Sequence, residues 1–394
     1  MTHRPVPRPG TPRYLTEDRR DVQQLARQFA RERVRPLADE LDSRQGAIPD
    51  SLRDEMAELG FFGLMIPEEY GGLGLGVFEY CLVAEELARG WLSVASLLAR
   101  GNGMGGEFTE EQRKELLPRM AAGEYLGAFA LSEAEAGSDV ANLSCRARRD
   151  GDEWVVHGTK MWCTYADQAD YLVLFARTSD KDPAKPHRGI SAFLVDKPRG
   201  SFPAGMSGTK IRKIGYFGWS TWDLAFDGLR LPASAMLGEE GRGFYLALSG
   251  LEVGRAHTAA RAIGLAQAAF DDAVEYARTR QQFGGPLTQF QDLRFKLARM
   301  AADIEAARQL MYHVATEIDS GRRCDREAAM AKYFASEMAE RVTSEAMQIH
   351  GGAGYTTDFA VERHWRDARL TRIFEGANEI QLRVISDDIL GPAR

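Results

Sequence analysis

The chain has 394 residues, 44% of them apolar and 27% charged, with a net charge of −7. That length suits two or three domains of about 150 residues each, and the mix is ordinary for a globular protein. The negative balance, with no basic stripe to neutralise phosphates, argues against nucleic acid as the main partner, and no apolar run approaches the ~18 residues of a membrane span.

The first stretch, MTHRPVPRPGTPRY, is rich in Pro and Arg and lacks the apolar core of a secretory signal, so residues 1–13 are expected to be a flexible tail. Cys81, Cys145, Cys163 and Cys324 are scattered with no CxxC pair, which fits a reducing cytoplasm and offers no metal motif. The abundance of Ala, Arg and Gly is that of a GC-rich bacterial genome. From about Thr16 to Met120 the pattern is helical. Val22, Leu25, Phe29 and Val34 recur at helical spacing until Pro36 is expected to break the helix, and Leu52, Met56, Leu59 and Phe62 form a second stripe. The glycine-rich GLMIPEEYGGLGLG has no GxGxxG register after a strand and is not a phosphate loop. Glu79 to Ala99 is helical again, with Arg89 and Arg100 on it and at its end; each is either a solvated charge or, if turned into a pocket, an anion contact.

From Glu153 to Leu231 the character changes to short β runs, EWVVHG, YLVLFA, ISAFLV and TWDLAF. Asp150-Gly151 and Asp227-Gly228 both read as hairpin turns. A small antiparallel β domain, a barrel or a pair of sheets, is expected here. From about Gly241 to Leu390 long apolar stripes return: Ala259 to Val274, Phe290 to Ile318 with Gly321 as a C-cap, and Ala331 to Ile349. The fold class is thus α+β in the order α–β–α: an N-terminal helical domain (14–125), a middle antiparallel β domain (126–240) and a C-terminal four-helix bundle (241–394).

Five segments carry residues suited to chemistry. IFEGANEIQ places Glu375 between Phe374 and Gly376, where an apolar neighbour can desolvate the carboxylate and make it a stronger base; the plainer reading is an exposed acid at a helix start. FALSEAEAGSD offers Ser132 and Ser138 near Gly137, either for a phosphate or as a polar connection. KMWCTYA offers Trp162 and Thr164 to a planar ring, or merely a core tryptophan. GLEVGRAH has Glu252 and Arg255 at a helix start, for an anion or a surface pair. RTRQQFGGPLTQFQ is a basic, amide-rich break between helices. None is specific alone.

In this order and at these distances, and together with QIHGGAGY, the segments resemble the acyl-CoA dehydrogenase family over nearly the whole chain, from Tyr14 to Leu390. The resemblance implies FAD. Phe129, Leu131, Ser132, Trp162, Cys163 and Thr164 match positions around the isoalloxazine, and Ser138 one near the pyrophosphate and CoA. Arg280, Phe283, Gln291, Gln348 and Gly352 match the site of the FAD adenosine half, in part across a subunit interface, and Ala377 and Glu379 lie in the cofactor-binding turn. Glu252, Arg255, Phe374 and Gly376 match acyl-CoA contacts, and Glu375 the catalytic base. A minority branch carries its base at the position that is Gly254 here, which cannot serve. Cys163, Tyr165 and Ala377 depart from the usual Ile, Asn and Thr.

The implied reaction is α,β-dehydrogenation of an acyl-CoA, with electrons passed to an electron-transfer flavoprotein, by a cytoplasmic homo-oligomer, a tetramer rather than a dimer. The C-terminal third is most similar to short- and branched-chain members, methylsuccinyl-CoA dehydrogenases in particular. Arg100 is the expected contact for a substrate carboxylate. An oxidase of the same fold, a desaturase acting on carrier-bound thioesters and a non-catalytic flavoprotein are the alternatives.

Overall fold

Thr16 Oγ1 accepts the N–H of Arg19 at 3.3 Å and so caps α1 (Glu17–Phe29). The chain then passes through a π turn, Ala30–Val34, straight into α2 (Arg35–Leu41). Pro36 therefore does not break the helix as expected. It sits in the first turn of α2, and the wider π turn before it, closed by Arg35 N–H on Ala30 O, accommodates a residue with no N–H to give. This computed structural model describes residues 14–102 and 108–392, so the tail expected at 1–13 lies outside the described residues.

Among the described residues, four more α-helices complete the first domain: α3 (Asp50–Glu58), α4 (Val77–Gly90), α5 (Leu92–Asn102) and α6 (Glu110–Ala121). The glycine-rich loop before α4 is a packing device. A Cβ on Gly72 would lie 2.0 Å from Ile66 O, so the loop closes on itself with no room for a phosphate.

The middle domain holds β1 (Gly127–Ala130), β2 (Arg146–Asp150), β3 (Glu153–Thr164), β4 (Tyr171–Arg177), β5 (Ile190–Asp196), β6 (Met206–Lys210), β7 (Thr221–Pro232) and β8 (Met236–Leu237). They form one sheet in the order β6-β7-β3-β2-β4-β5-β8, with β1 added beside β4. Asp150-Gly151 is the hairpin turn expected, joining β2 to β3. Asp227-Gly228 is not a turn. It lies inside β7, where Asp227 pairs with His157 and Leu229 with Val156, and Gly228 at φ +76° takes up the extra residue as a β-bulge. The sheet is also not wholly antiparallel: β1 runs parallel to β4, and β2 touches β4 in parallel, because the long excursion between β1 and β2 lets the chain cross over.

The third domain opens with α7 (Gly243–Ser249) and α8 (Leu251–Thr279). A small hairpin, β9 (Gln281–Gln282) and β10 (Gly285–Pro286), leads to α9 (Gln291–Asp319), α10 (Asp325–His350), α11 (Val361–Thr371) and α12 (Asn378–Leu390). The expected apolar stripes face inward, and Gly321 ends α9 at φ +75°. Helix α8 is the hub, packed against α4, α9, α10 and α11, with α12 laid on α10. A buried pair, Arg308 of α9 to Glu85 of α4 at 3.1 Å, with Arg308 also donating to Gln267 of α8 at 2.8 Å, joins the two helical domains. No helix among the described residues is long and apolar enough to cross a membrane.

Candidate active site

Glu375 lies in the turn between α11 and α12 with φ +53°, and Gly376 follows at φ +90°. A left-handed backbone costs a residue with a Cβ about 1 kcal/mol or more, so other contacts must hold the turn. Two sets do. From α10, the fully buried Lys332 donates to Gly376 O at 2.7 Å and to Asn378 Oδ1 at 2.9 Å; Gln381 Nε2 also donates to Gly376 O, at 2.9 Å. From α8, Thr258 Oγ1 donates to Glu375 Oε2 at 2.6 Å and Arg261 Nη2 to the same oxygen at 2.5 Å. Thr258 and Arg261 are three residues apart and so share one helix face. Arg261 also donates to Ser96 Oγ of α5 at 2.8 Å, and its guanidinium stands over the Phe374 ring at 4.9 Å.

The electrostatics differ from the sequence expectation. Burial alone does push the Glu375 carboxyl up, as Phe374 suggested. Arg261 overrules it: its charge, with the hydrogen bonds from Arg261 and Thr258, pulls the carboxyl down to about 2. The side chain is 41% exposed, so solvent shares in stabilising the charge. In this structure Glu375 is an ion-paired carboxylate and not a free, desolvated base. Lys332 moves the other way in charge stability; burial lowers its ammonium to about 8, against the pull of Glu375.

The middle domain meets this turn through the loop between β6 and β7. Tyr216 presents its edge to Phe374 at 6.2 Å and gives its N–H to Asp367 Oδ1 of α11 at 2.7 Å. Trp219 Nε1 donates to Ser93 O of α5 at 2.8 Å. Thr164 Oγ1 lies 3.1 Å from Thr221 Oγ1 at the start of β7.

Trp162 is not a core tryptophan. The β3–β7 register slips between Lys160 and Cys163, and this irregularity, with φ +64° at Trp162, turns the indole outward to 57% exposure while Cys163 is wholly buried. The segment after β1 is tied to the same bulge: Met161 N–H donates to Ser132 O at 2.8 Å and Lys160 Nζ to Leu131 O at 2.9 Å. Buried Glu133 receives Lys160 Nζ at 2.8 Å and the N–H groups of Ser144 and Cys145. Phe129 is 43% exposed on β1. Exposed aromatic faces beside the Ser132 and Thr164 hydroxyls suit a flat heteroaromatic ring such as a flavin. Ser138 is exposed on the loop that follows.

The residues matched to the adenosine half lie elsewhere. Arg280, Phe283 and Gln291 are exposed at the far end of α8, Phe283 at 92%, and Gln348 and Gly352 are exposed at the end of α10 beside them, where Tyr276 stacks on His350 at 4.3 Å. Arg261 and Arg280 are 19 residues apart on the α8 axis, roughly 28 Å at about 1.5 Å per residue. The structure thus places the expected cofactor residues in two separate groups, one on the middle domain and one at the far end of α8.

Glu252 and Arg255 serve the start of α10. Glu252 accepts the Cys324 N–H at 2.7 Å, and Arg255 reaches Asp325 Oδ1 at 3.4 Å. Ala377 is the N-cap of α12, and Glu379 is exposed in its first turn. Arg89 is structural, paired to Glu86 and Asp271. The Arg100 guanidinium lies 5.8 Å from both the Tyr165 and Trp219 rings, and its Nε has no hydrogen-bond partner among the described residues. Sequence reading missed Thr258, Arg261, Ser96 and Lys332. The signal for Arg261 was a charged residue inside the alanine stripe HTAARAIG, where solvent cannot be its partner.

Three family profiles match the chain in succession: the acyl-CoA dehydrogenase N-terminal domain over residues 16–124, the middle domain over 128–229 and the C-terminal domain over 241–390. A (2S)-methylsuccinyl-CoA dehydrogenase of Cereibacter sphaeroides is 42% identical over 95% of this chain and 70% of its own length. Butyryl-CoA dehydrogenase of Megasphaera elsdenii superposes with a TM-score of 0.89 at 39% identity, covering 95% of this chain and 99% of its own. A glutaryl-CoA dehydrogenase of Mycobacterium smegmatis, in complex with FADH2, gives 0.89 at 30% identity, covering 98% and 97%. With its three domains matched in order and its fold shared from end to end, this chain belongs to the acyl-CoA dehydrogenase family of FAD-dependent oxidoreductases.

Proposed function

We propose that the chain removes the α-proton of a short or branched acyl-CoA with Glu375 and delivers the trans-2-enoyl-CoA. The observation that carries this reading is a carboxylate held in a left-handed turn by two helices and partly open. The α-hydrogen of a thioester is a weak acid. Offering the Glu375 N–H to the thioester oxygen stabilises the charge that develops there, and fixing the carboxylate against the α-carbon adds proximity.

Bound FAD supplies the acceptor for the β-hydride. Phe129, Leu131, Ser132, Trp162, Cys163 and Thr164 would hold its ring, with Ala377 and Glu379 at the neighbouring helix start. Arg280, Phe283, Gln291, Gln348 and Gly352 would hold the adenosine half of a cofactor bound mainly by another subunit. Their separation from Glu375 and the exposure of Phe283 support a homo-oligomer, which we take as a tetramer. Ser138, Glu252 and Arg255 would line the CoA path, Phe374 and Gly376 the thioester end, and Arg100 would add positive charge to the acyl end. A cytoplasmic electron-transfer flavoprotein would receive the electrons.

The test is an anaerobic titration of the flavinated protein with acyl-CoA esters, followed by the flavin absorbance, in wild type and Glu375→Gln. Wild type should bleach with at least one ester. The variant should keep its flavin and bleach about 10²–10⁴-fold more slowly. A variant that bleaches at the wild-type rate removes Glu375 from the base role.

A further inference from the structure

Resting on that proposed reaction, we infer that Arg261 sets the substrate class: it exchanges the Glu375 carboxylate for a carboxylate carried on the acyl group, and so frees the base when a carboxylated acyl-CoA is bound. The argument starts from charge. Arg261 is 1% exposed, and among the described residues Glu375 is the only carboxylate in contact with it. Its other contacts are neutral: Ser96 Oγ at 2.8 Å, Thr258 Oγ1 at 3.0 Å, His257 O at 3.4 Å and the Phe374 ring.

Taking the α-proton turns Glu375 into a neutral acid. With a neutral acyl group in place, the reaction would leave a buried guanidinium without a counter-charge, the costly half of a broken buried pair. A substrate carboxylate removes that cost and also frees Glu375 from the partner that makes it a weak base. The planar fork of Arg261 can take such a carboxylate through two N–H groups.

Geometry limits the length of the acyl group. The guanidinium touches the carboxylate that must approach the α-carbon to about 3–3.5 Å, so the second anion must sit within about two or three carbons of that atom. Among the described residues the surroundings do not offer a rival anion. Tyr80 stacks on His257 at 4.5 Å, burial together with Arg261 keeps His257 neutral, and the nearby Arg100 adds a further positive charge.

The experiment compares methylsuccinyl-CoA and glutaryl-CoA with their ω-methyl esters and with butyryl-CoA. In wild type the free acids should exceed their esters by about 10²-fold in kcat/KM. Arg261→Gln should bring the free acids within about threefold of their esters while raising the rate with butyryl-CoA, and Arg261→Lys should restore part of the preference. Calorimetric Kd values for redox-inert thioether analogues should follow the same order, and they decide the inference even in a protein whose flavin none of the esters bleaches. Equal rates for acid and ester in wild type, or an Arg261→Gln variant slowed equally with both, would overturn it. The second result would assign Arg261 to the thioester or to folding.

Discussion

Replacing Lys332 by Met should cost catalysis far more than stability. The loss side is two charge-assisted hydrogen bonds, to Gly376 O and Asn378 Oδ1, at about 1.5–3 kcal/mol each, or about 3–6 kcal/mol. Neither acceptor is orphaned, because Gln381 still donates to Gly376 O and Ser336 to Asn378 Oδ1. The gain side is the charge no longer buried. The ammonium is lowered from 10.5 to about 8, and at about 1.4 kcal/mol per unit this is roughly 3 kcal/mol. The two sides leave a net loss of about 0–3 kcal/mol, a fall of a few degrees in Tm at most for a chain of this size. The turn fares worse, since Lys332 is the group that ties both Gly376 and Asn378 beside the left-handed Glu375. A misplacement of about 1 Å at a reacting group costs about 10²-fold. Single-turnover flavin bleaching under anaerobic conditions gives the rate, and a thermal melt with flavin content gives the stability. A Lys332→Met protein that bleaches normally would refute the clamp. One that loses its flavin and melts more than about 10 °C early would show that the lysine holds up the bundle instead.

Trp162→Ala should leave the melting of the flavin-free protein within about 0.5 kcal/mol of wild type, because the indole is 57% exposed, yet weaken flavin retention by about tenfold, read from flavin content after dialysis. Asp367→Asn should remove a pH dependence of stability. Burial, helped by Asp42, raises the Asp367 carboxyl to about 7, so between its ordinary 3.8 and about 7 the folded state binds the extra proton. Wild-type stability should therefore fall with rising pH across that window by up to about 4 kcal/mol relative to the variant, and the difference should be flat above it. Paired denaturant titrations from pH 5 to pH 8 check this, and parallel curves would refute it.

Periodicity carried the α–β–α order because each stripe is a local property of one helix or strand. The stripes on α8, α9 and α10 face inward, and EWVVHG, YLVLFA, ISAFLV and TWDLAF became β3, β4, β5 and β7. Where the reading failed, a second element decided the outcome. Asp227-Gly228 has the composition of a turn, but its partner strand runs on past it, so the glycine makes a bulge. Pro36 has the composition of a stop, but a π turn precedes it. The outward face of Trp162 depends on a register slip against β7, which no window of β3 contains. The Glu375 segment was legible as a motif, whereas the state of its carboxylate was not. Phe374 is a chain neighbour and was visible; Arg261 lies 114 residues away and decides the charge.

That distance has a structural consequence. Glu375 is on a turn that cannot hold its own shape, and its position is set by how α8 and α10 pack. Helix α8 is in turn held very close to α4: a Cβ on Gly264 would lie 2.2 Å from Glu85 O and 2.8 Å from the Ala88 Cβ. Gly264 is one turn beyond Arg261, so any side chain there would lift off α4 the face that carries Thr258 and Arg261. The same α4 surface presents Glu85 to Arg308 of α9. The geometry of the base is therefore a property of the N-terminal and C-terminal domains packed together. A helix interface that looks like plain core, small residues on small residues, sets where the carboxylate meets the guanidinium.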